Sequence, residues 1–352
     1  MNIVLSGLQA VIVRLSFALG HLSTNNQVQL INASLLMPDR TLSVIIPVRN
    51  QPETLAALLD AILALPVPQG WGLEVICADN ASTDQTPDVI RARPVTYLLE
   101  PQLGPSHARN AGAKVASGEL LWFMDADAVP LGDDFLAEII ATAEELGDFG
   151  GFGGPILLPE SQLNNPIAYA DHMACWSAWH QWRATEHSGF QPTSIVVKRS
   201  LFEEVGGYNT DIRVLEDWDL QIRLEQSRRK IDGEDAPLRP IWFISSLPVA
   251  HSARSTVSRS LRHSWYWGLP SREGWLERIG MSMGRYERPI IRWFMLPRLL
   301  WMRARHPLQI SWRVSRWRTI VALPFLLLTL AVWSAAVIVG HGQPDDDYLA
   351  PV

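Results

Sequence analysis

From residue 41 onward the apolar positions alternate between two rhythms. Residues 42–48 (LSVIIPV) form a short, β-branched, nearly unbroken apolar run, the pattern of a strand covered on both faces. Residues 52–65 (PETLAALLDAILAL) space their apolar side chains at helical intervals, with Pro52 near the start, where a missing N–H costs little. The exchange then repeats. Strands are predicted at 73–78, 95–99 and 120–124, helices at 106–117 and 133–146, and Ser82 or Thr83 offers the N-cap of a further short helix. This order predicts an α/β fold with a parallel-dominated sheet flanked by helices. Ligands of such sheets bind beyond the carboxyl ends of the strands.

The pattern changes near the C-terminus. Residues 319–340 (TIVALPFLLLTLAVWSAAVIVG) contain no charge over 22 positions. As a helix they reach roughly 33 Å, enough to cross a hydrocarbon core. Arg313, Arg316 and Arg318 precede them, and Asp345, Asp346 and Asp347 follow. The positive-inside rule then places the body in the cytoplasm and residues 341–352 outside, a single-pass arrangement. Residues 269–318 mix Trp293, Phe294 and Trp301 with Arg292, Arg298, Arg303 and Arg305, as a basic, Trp-rich helix in the headgroup region would. Residues 1–36 are read as an interfacial helix or as a start-site artefact upstream of Met37. Residues 37–268 are left as the folded body.

Charge sharpens this division. The net charge is −6, yet residues 251–318 hold 14 Arg, no Lys and 3 Glu. An acidic body with a basic C-terminal collar argues against a nucleic-acid partner, whose contacts would need positive charge on the main domain. Cys77 and Cys175 show no metal or disulfide spacing and read as buried small side chains in a reducing compartment.

The predicted strand ends carry acids. Asp79-Asn80-Ala81-Ser82-Thr83-Asp84 follows the second strand, and Asp125-Ala126-Asp127 follows the fourth. Two carboxylates at i and i+2 at a strand end can face one site and suit Mg²⁺ or Mn²⁺ shared with a diphosphate. A D-x-D alone is also what a solvated turn looks like; its place after the buried run LLWFM distinguishes it. Glu216-Asp217-Trp218-Asp219 follows the turn Gly206-Gly207-Tyr208-Asn209. It is either acid favourably placed at a helix start or a source of a general base. Neither G-x-G-x-x-G nor the P-loop pattern occurs where it would be needed. Tyr169, Trp176, Trp179 and Trp182 form an aromatic stretch between the acid clusters, readable as a core stripe or as an acceptor platform.

In order, LSVIIPVRN (42–50), ADNASTDQT (78–86), GPSHARNAGAKVASGELLWFMDADA (104–128), SIVVKRSLFEEVGGYN (194–209) and EDWDL (216–220) resemble family 2 glycosyltransferases of the GT-A fold. The resemblance spans roughly 215 residues. It implies that Pro47 borders the nucleotide, that Asp79 contacts base or ribose, and that Arg109 lies near the nucleotide. One of Asp125 and Asp127 would hold ribose or a metal-bound water and the other the metal. His251 would help hold the metal or diphosphate, and Asp217 would deprotonate the acceptor hydroxyl. The expected reaction is metal-dependent inverting transfer of one sugar from a nucleotide-sugar donor to a lipid-linked or glycan acceptor. The chain departs from the family in two places. Arg49 stands where many members stack an aromatic ring, and the Q-x-x-R-W of processive members is reduced to Arg259-Ser260-Leu261-Arg262-His263. A polyprenyl-monophosphate glycosyltransferase and a non-catalytic nucleotide-binding scaffold are the alternatives.

Overall fold

The computed structural model describes residues 40–180, 192–227, 230–231, 234–235, 239–270, 293–294 and 296–340. The expectations for residues 1–36 and 341–352, and most of 269–292, lie outside them. In chain order the elements are β1 (Arg40–Val48), α1 (Pro52–Ala64), β2 (Trp71–Asp79), α2 (Thr86–Arg91), β3 (Thr96–Leu99), α3 (Pro105–Val115) and β4 (Leu120–Met124). Then come β5 (Ala128–Pro130), α4 (Phe135–Leu146), β6 (Gly151–Gly153), β7 (Ile156–Leu157), α5 (Pro166–Trp176), β8 (Ser194–Lys198), α6 (Arg199–Glu204) and α7 (Glu216–Gln226). The last are β9 (Lys230–Ile231), β10 (Glu234–Asp235), β11 (Ile241–Phe243), β12 (Val249–His251), α8 (Val257–Gly268), α9 (Leu296–Val314) and α10 (Arg316–Val339).

A seven-stranded sheet of order β11-β6-β8-β4-β1-β2-β3 forms the body. β1 pairs in parallel with β2 and β4, and β2 with β3. β8 is antiparallel to both β4 and β6, so the sheet is mixed with a parallel half. The apolar runs of β1 and β4 are buried on both faces because helices cover each side. Val44, Ile46, Trp122 and Met124 pack toward α1 and α4, while Ile45, Leu121 and Phe123 pack toward α3 and α6. Gly112 lets α3 approach closely, since a Cβ there would stand 2.6 Å from Ile45 Cγ2. β5, β12 and β7 make a second, three-stranded sheet beyond β4.

The expected cap of α2 is displaced. Ser82 and Thr83 are drawn instead to Asn50, whose N–H donates to Ser82 Oγ (3.0 Å) and whose Oδ1 accepts from Thr83 N–H (2.8 Å). α2 therefore starts only at Thr86. The uncharged C-terminal run is helical from Thr319 to Val339, within α10, and α9 folds back on it after a break at Ser315. Ala322, Leu326 and Leu330 of α10 share one cluster with Tyr169, Ala170 and Met173 of α5.

Candidate functional site

The parallel half of the sheet delivers Val48 and Asp79 side by side, as register partners at the carboxyl ends of β1 and β2. Asp79 is buried; its Oδ1 accepts from Ser82 N–H and its Oδ2 from the Tyr97 hydroxyl, each at 3.0 Å. Asn80 links the next loops, donating to the carbonyls of Glu100 and Gln102 and accepting from Gly104 N–H. Pro47 stands one residue before Val48, opposite Ala78. The loops after β1, β2 and β3 are thereby cross-linked into one rim. On that rim Arg49 Nε and Nη1 are buried with no partner among the described residues. In sequence Arg49 is only a departure from the family pattern; two orphaned donors on this rim make it a binding candidate.

The second half of the site forms where β4 ends. β12 runs antiparallel to β5 with His251 opposite Ala128, which brings the imidazole beside the D-x-D turn. His251 Nε2 lies 3.3 Å from Asp127 Oδ1. One ligand-type atom from each of Asp125, Asp127 and His251 lies within 4.8 Å of the others. His251 Nδ1 is buried with no partner among the described residues. Trp176 packs edge-on against this ring, with centroids 5.1 Å apart.

Arg109, on the buried face of α3, spans the two acid clusters. Its Nη1 donates to Glu216 Oε1 (2.7 Å) and its Nη2 to Asp125 Oδ1 (2.9 Å). The Tyr208 ring lies 5.0 Å from the guanidinium carbon. Burial works against the Arg109 charge, but Tyr208, Asp125 and Glu216 outweigh it and keep the cation firmly protonated. Burial raises the Asp125 carboxyl above its usual range, with Arg109 opposing and Asp127 reinforcing.

Glu216 opens α7 directly after Leu215, whose φ of 73° is left-handed, and Asp217 follows in the first turn. That conformation costs a bulky L-residue roughly 1–2 kcal/mol and is typical of strain held at functional positions. Asp217 Oδ1 accepts from Trp218 N–H at 2.8 Å. Its carboxyl is pushed well above the ordinary range, first by burial and then by the neighbouring Glu216; Arg109 opposes this. A carboxyl raised in this way is a stronger base than an exposed one.

The structure thus gathers Asp125, Asp127, His251, Arg109 and the Glu216–Asp217 pair, and sets Pro47 and Asp79 on the adjoining rim. The cluster holds four carboxylates, and Arg109 pairs with two of them, Asp125 and Glu216. Excess negative charge, hard oxygens and an orphaned imidazole nitrogen fit a divalent cation. Glu216 was missed as a pairing residue, although it stands beside Asp217 in the motif. The aromatic stretch resolves toward the core. Trp176 and Tyr169 are buried, and Tyr169 donates its hydroxyl to the Ser311 carbonyl of α9 (3.3 Å). Trp182 lies outside the described residues.

Residues 43–206 match the family model described as glycosyl transferase family 2. Over 152 residues the chain is 32% identical to 4,4'-diaponeurosporenoate glycosyltransferase of Staphylococcus aureus (strain N315), covering 42% of this chain and 40% of that protein. Over 255 residues it is 24% identical to O-antigen biosynthesis protein RfbC of Myxococcus xanthus, covering 64% of this chain and 18% of that one. The chain therefore spans less than half the length of these curated relatives. Mannosyltransferase PcManGT from Pyrobaculum calidifontis, solved in complex with GDP-Man and Mn2+, aligns with a TM-score of 0.53 at 20% identity, over 85% of this chain and 86% of that one. At that identity the likeness speaks for the fold. With the ordered motifs, the mixed sheet and the acid cluster at its carboxyl edge, residues 43–206 carry the glycosyltransferase family 2 match and the chain has the GT-A fold.

Proposed function

We propose that this enzyme moves one sugar from a nucleotide-sugar donor to the hydroxyl of a lipid-linked acceptor at the cytoplasmic membrane face, inverting the anomeric centre. The observation that carries the reading is the double pairing of Arg109, which joins the D-x-D turn to the helix bearing Asp217. Asp79 and Arg49 border the nucleoside, and the orphaned Arg49 donors suit a carbonyl-bearing base or a phosphate. Asp125, Asp127 and His251 would hold Mn²⁺ or Mg²⁺. A bound cation supplies Lewis acidity that offsets the charge gathering on the departing diphosphate. Asp217 takes the proton of the attacking hydroxyl as its oxygen bonds to the anomeric carbon and the glycosidic bond to phosphate breaks. One displacement suffices, so no covalent nucleophile is needed.

The raised basicity of Asp217 favours a hydroxyl acceptor over a lipid monophosphate, which is already ionised and needs little base catalysis. The lipid acceptor is supported by the apolar C-terminal helix and by the six Arg and no acid between Leu296 and Gly340, which suit an anionic leaflet. The test is a panel of nucleotide sugars with lipid extract, with and without Mn²⁺ or Mg²⁺. Cation-dependent transfer to lipid is expected. Transfer only to soluble acceptors would remove the lipid, and absence of both transfer and donor hydrolysis would leave a binding scaffold.

A further inference from the structure

The length and apolarity of α10 permit it to cross a bilayer; its packing argues for a different orientation. The catalytic body follows this helix from end to end. Near its start, Thr319 Oγ1 is 2.6 Å from Ser311 Oγ, which in turn donates to the Tyr169 hydroxyl of α5. At its middle, Thr329 Oγ1 lies 3.4 Å from Ser260 Oγ of α8. At its end Gly268 of α8 seats so closely that a Cβ would stand 2.5 Å from Ala336 Cβ, and Gly340 is equally tight against the Leu269 carbonyl. α8 therefore runs along the second half of α10, from Thr329 to Gly340.

Thr329 is also the centre of the uncharged run. If α10 crossed upright, Ser260 and its exposed neighbour Arg259 would sit at the middle of the bilayer. A guanidinium there costs about 2.5–3.5 kcal/mol on insertion scales, before the other polar groups of α8 are considered. The exposed apolar surface is also too short. Ile320, Val321, Leu323, Leu327 and Leu328 are exposed, but no residue from Thr329 to Ile338 is. The continuous lipid-ready face is about 12 Å long, against roughly 30 Å of hydrocarbon.

The face continues backward into α9 with different chemistry. Exposed positions at helical spacing there are Arg298, Trp301, Arg305, Gln309, Trp312 and Arg313, followed by Arg316 and Trp317 at the start of α10. Trp301 and Trp317 are 68% and 73% exposed. Guanidinium groups bind phosphate bidentately, and indole rings favour the headgroup level. Between Leu296 and Gly340 no acidic side chain competes for them.

We propose that α9 and the first half of α10 form a seat lying in the plane of an anionic phospholipid surface. The Arg and Trp stripe meets the headgroups, Ile320 to Leu328 dip among the acyl chains, and both ends of α10 stay on the face that carries the catalytic body. The surface is thus a membrane contact made from one side.

The test uses the full chain with spin labels at Ile320→Cys, Leu327→Cys or Val339→Cys, in a Cys77→Ala, Cys175→Ser background whose vesicle binding matches the native chain. Depth is read from oxygen and nickel-chelate relaxation in vesicles of phosphatidylcholine and phosphatidylglycerol. Ile320 and Leu327 are expected at about 5–10 Å, and Val339 no deeper than either. Leu327 near the midplane with both flanking labels shallow would overturn the proposal in favour of crossing. Spin–spin broadening at Leu327 without lipid contact would overturn it in favour of a second copy of the chain. In parallel, the exposed triple variant Arg298→Gln, Arg305→Gln, Arg313→Gln is expected to bind these vesicles on the order of 100-fold more weakly. Unchanged binding would remove the anionic lipid. These readouts do not require a working transferase, so they stand apart from the proposed reaction.

Discussion

Arg109 Nη1 lies 2.7 Å from Glu216 Oε1 across 107 residues of chain, both side chains largely out of water. The same guanidinium reaches Asp125 Oδ1. Arg109→Ala leaves two carboxylates without their counter-charge and is expected to cost about 3–5 kcal/mol in urea unfolding. Arg109→Lys keeps the charge but loses the planar fork. It should fold and still lose at least about tenfold in kcat/KM. A fully active lysine variant would show that the fork is dispensable.

Asp217→Asn keeps the shape of the side chain and removes its basicity. Transfer should fall by roughly 10²–10⁴-fold, the usual contribution of a general base. Nucleotide-sugar affinity measured by calorimetry should be nearly unchanged. Full activity in this variant would take Asp217 out of the mechanism.

The raised Asp217 pKa sets a pH limit. Its basic form is lost as pH falls through that raised value, so the acid limb of kcat/KM should lie above the ordinary carboxylate range. The sign for stability is opposite. A group whose folded pKa exceeds its unfolded pKa favours the fold when protonated, and that contribution fades as pH rises through the folded value. Glu216→Gln removes the neighbouring negative charge while retaining an acceptor for Arg109. The acid limb should then move to lower pH; an unmoved limb assigns it to another group.

Asp127→Ala should weaken nucleotide binding in the presence of Mn²⁺ and leave the weaker cation-free binding largely as it was. Titration calorimetry with nucleoside diphosphate, with and without the cation, separates the two. Equal losses in both conditions would count against a cation ligand.

Arg49→Ala should behave differently. Its orphaned Nε and Nη1 face no protein acceptor among the described residues, so their loss should weaken nucleotide binding roughly tenfold whether or not the cation is present. Unchanged affinity would return Arg49 to a structural role.

Much of this architecture could be read from local pattern. β1, α1 and β4 follow their apolar spacing closely, because each is covered on faces that the spacing itself describes. Asp125 and Asp127 were findable because a buried strand ends immediately before them. Ser82 and Thr83 misled as caps because their true partner, Asn50, lies more than thirty residues earlier. Glu216 escaped as a partner of Arg109 for the same reason, since a salt bridge over 107 residues leaves no local period. The packing of α8 along α10 was equally hidden. An apolar helical face looks the same in sequence whether it meets lipid or another helix.

Trp176 touches His251 on one side and Trp267 of α8 on the other, with ring centroids 5.1 Å and 5.6 Å away. α8 is in turn keyed into α10 through Gly268. Packed interiors compress little and pass displacement onward. From α10 to the imidazole at the acid cluster, the described side chains are in packed contact from one to the next. Wherever α10 is seated, the acid cluster is therefore aligned with it through His251, much as an instrument is aligned by its mount.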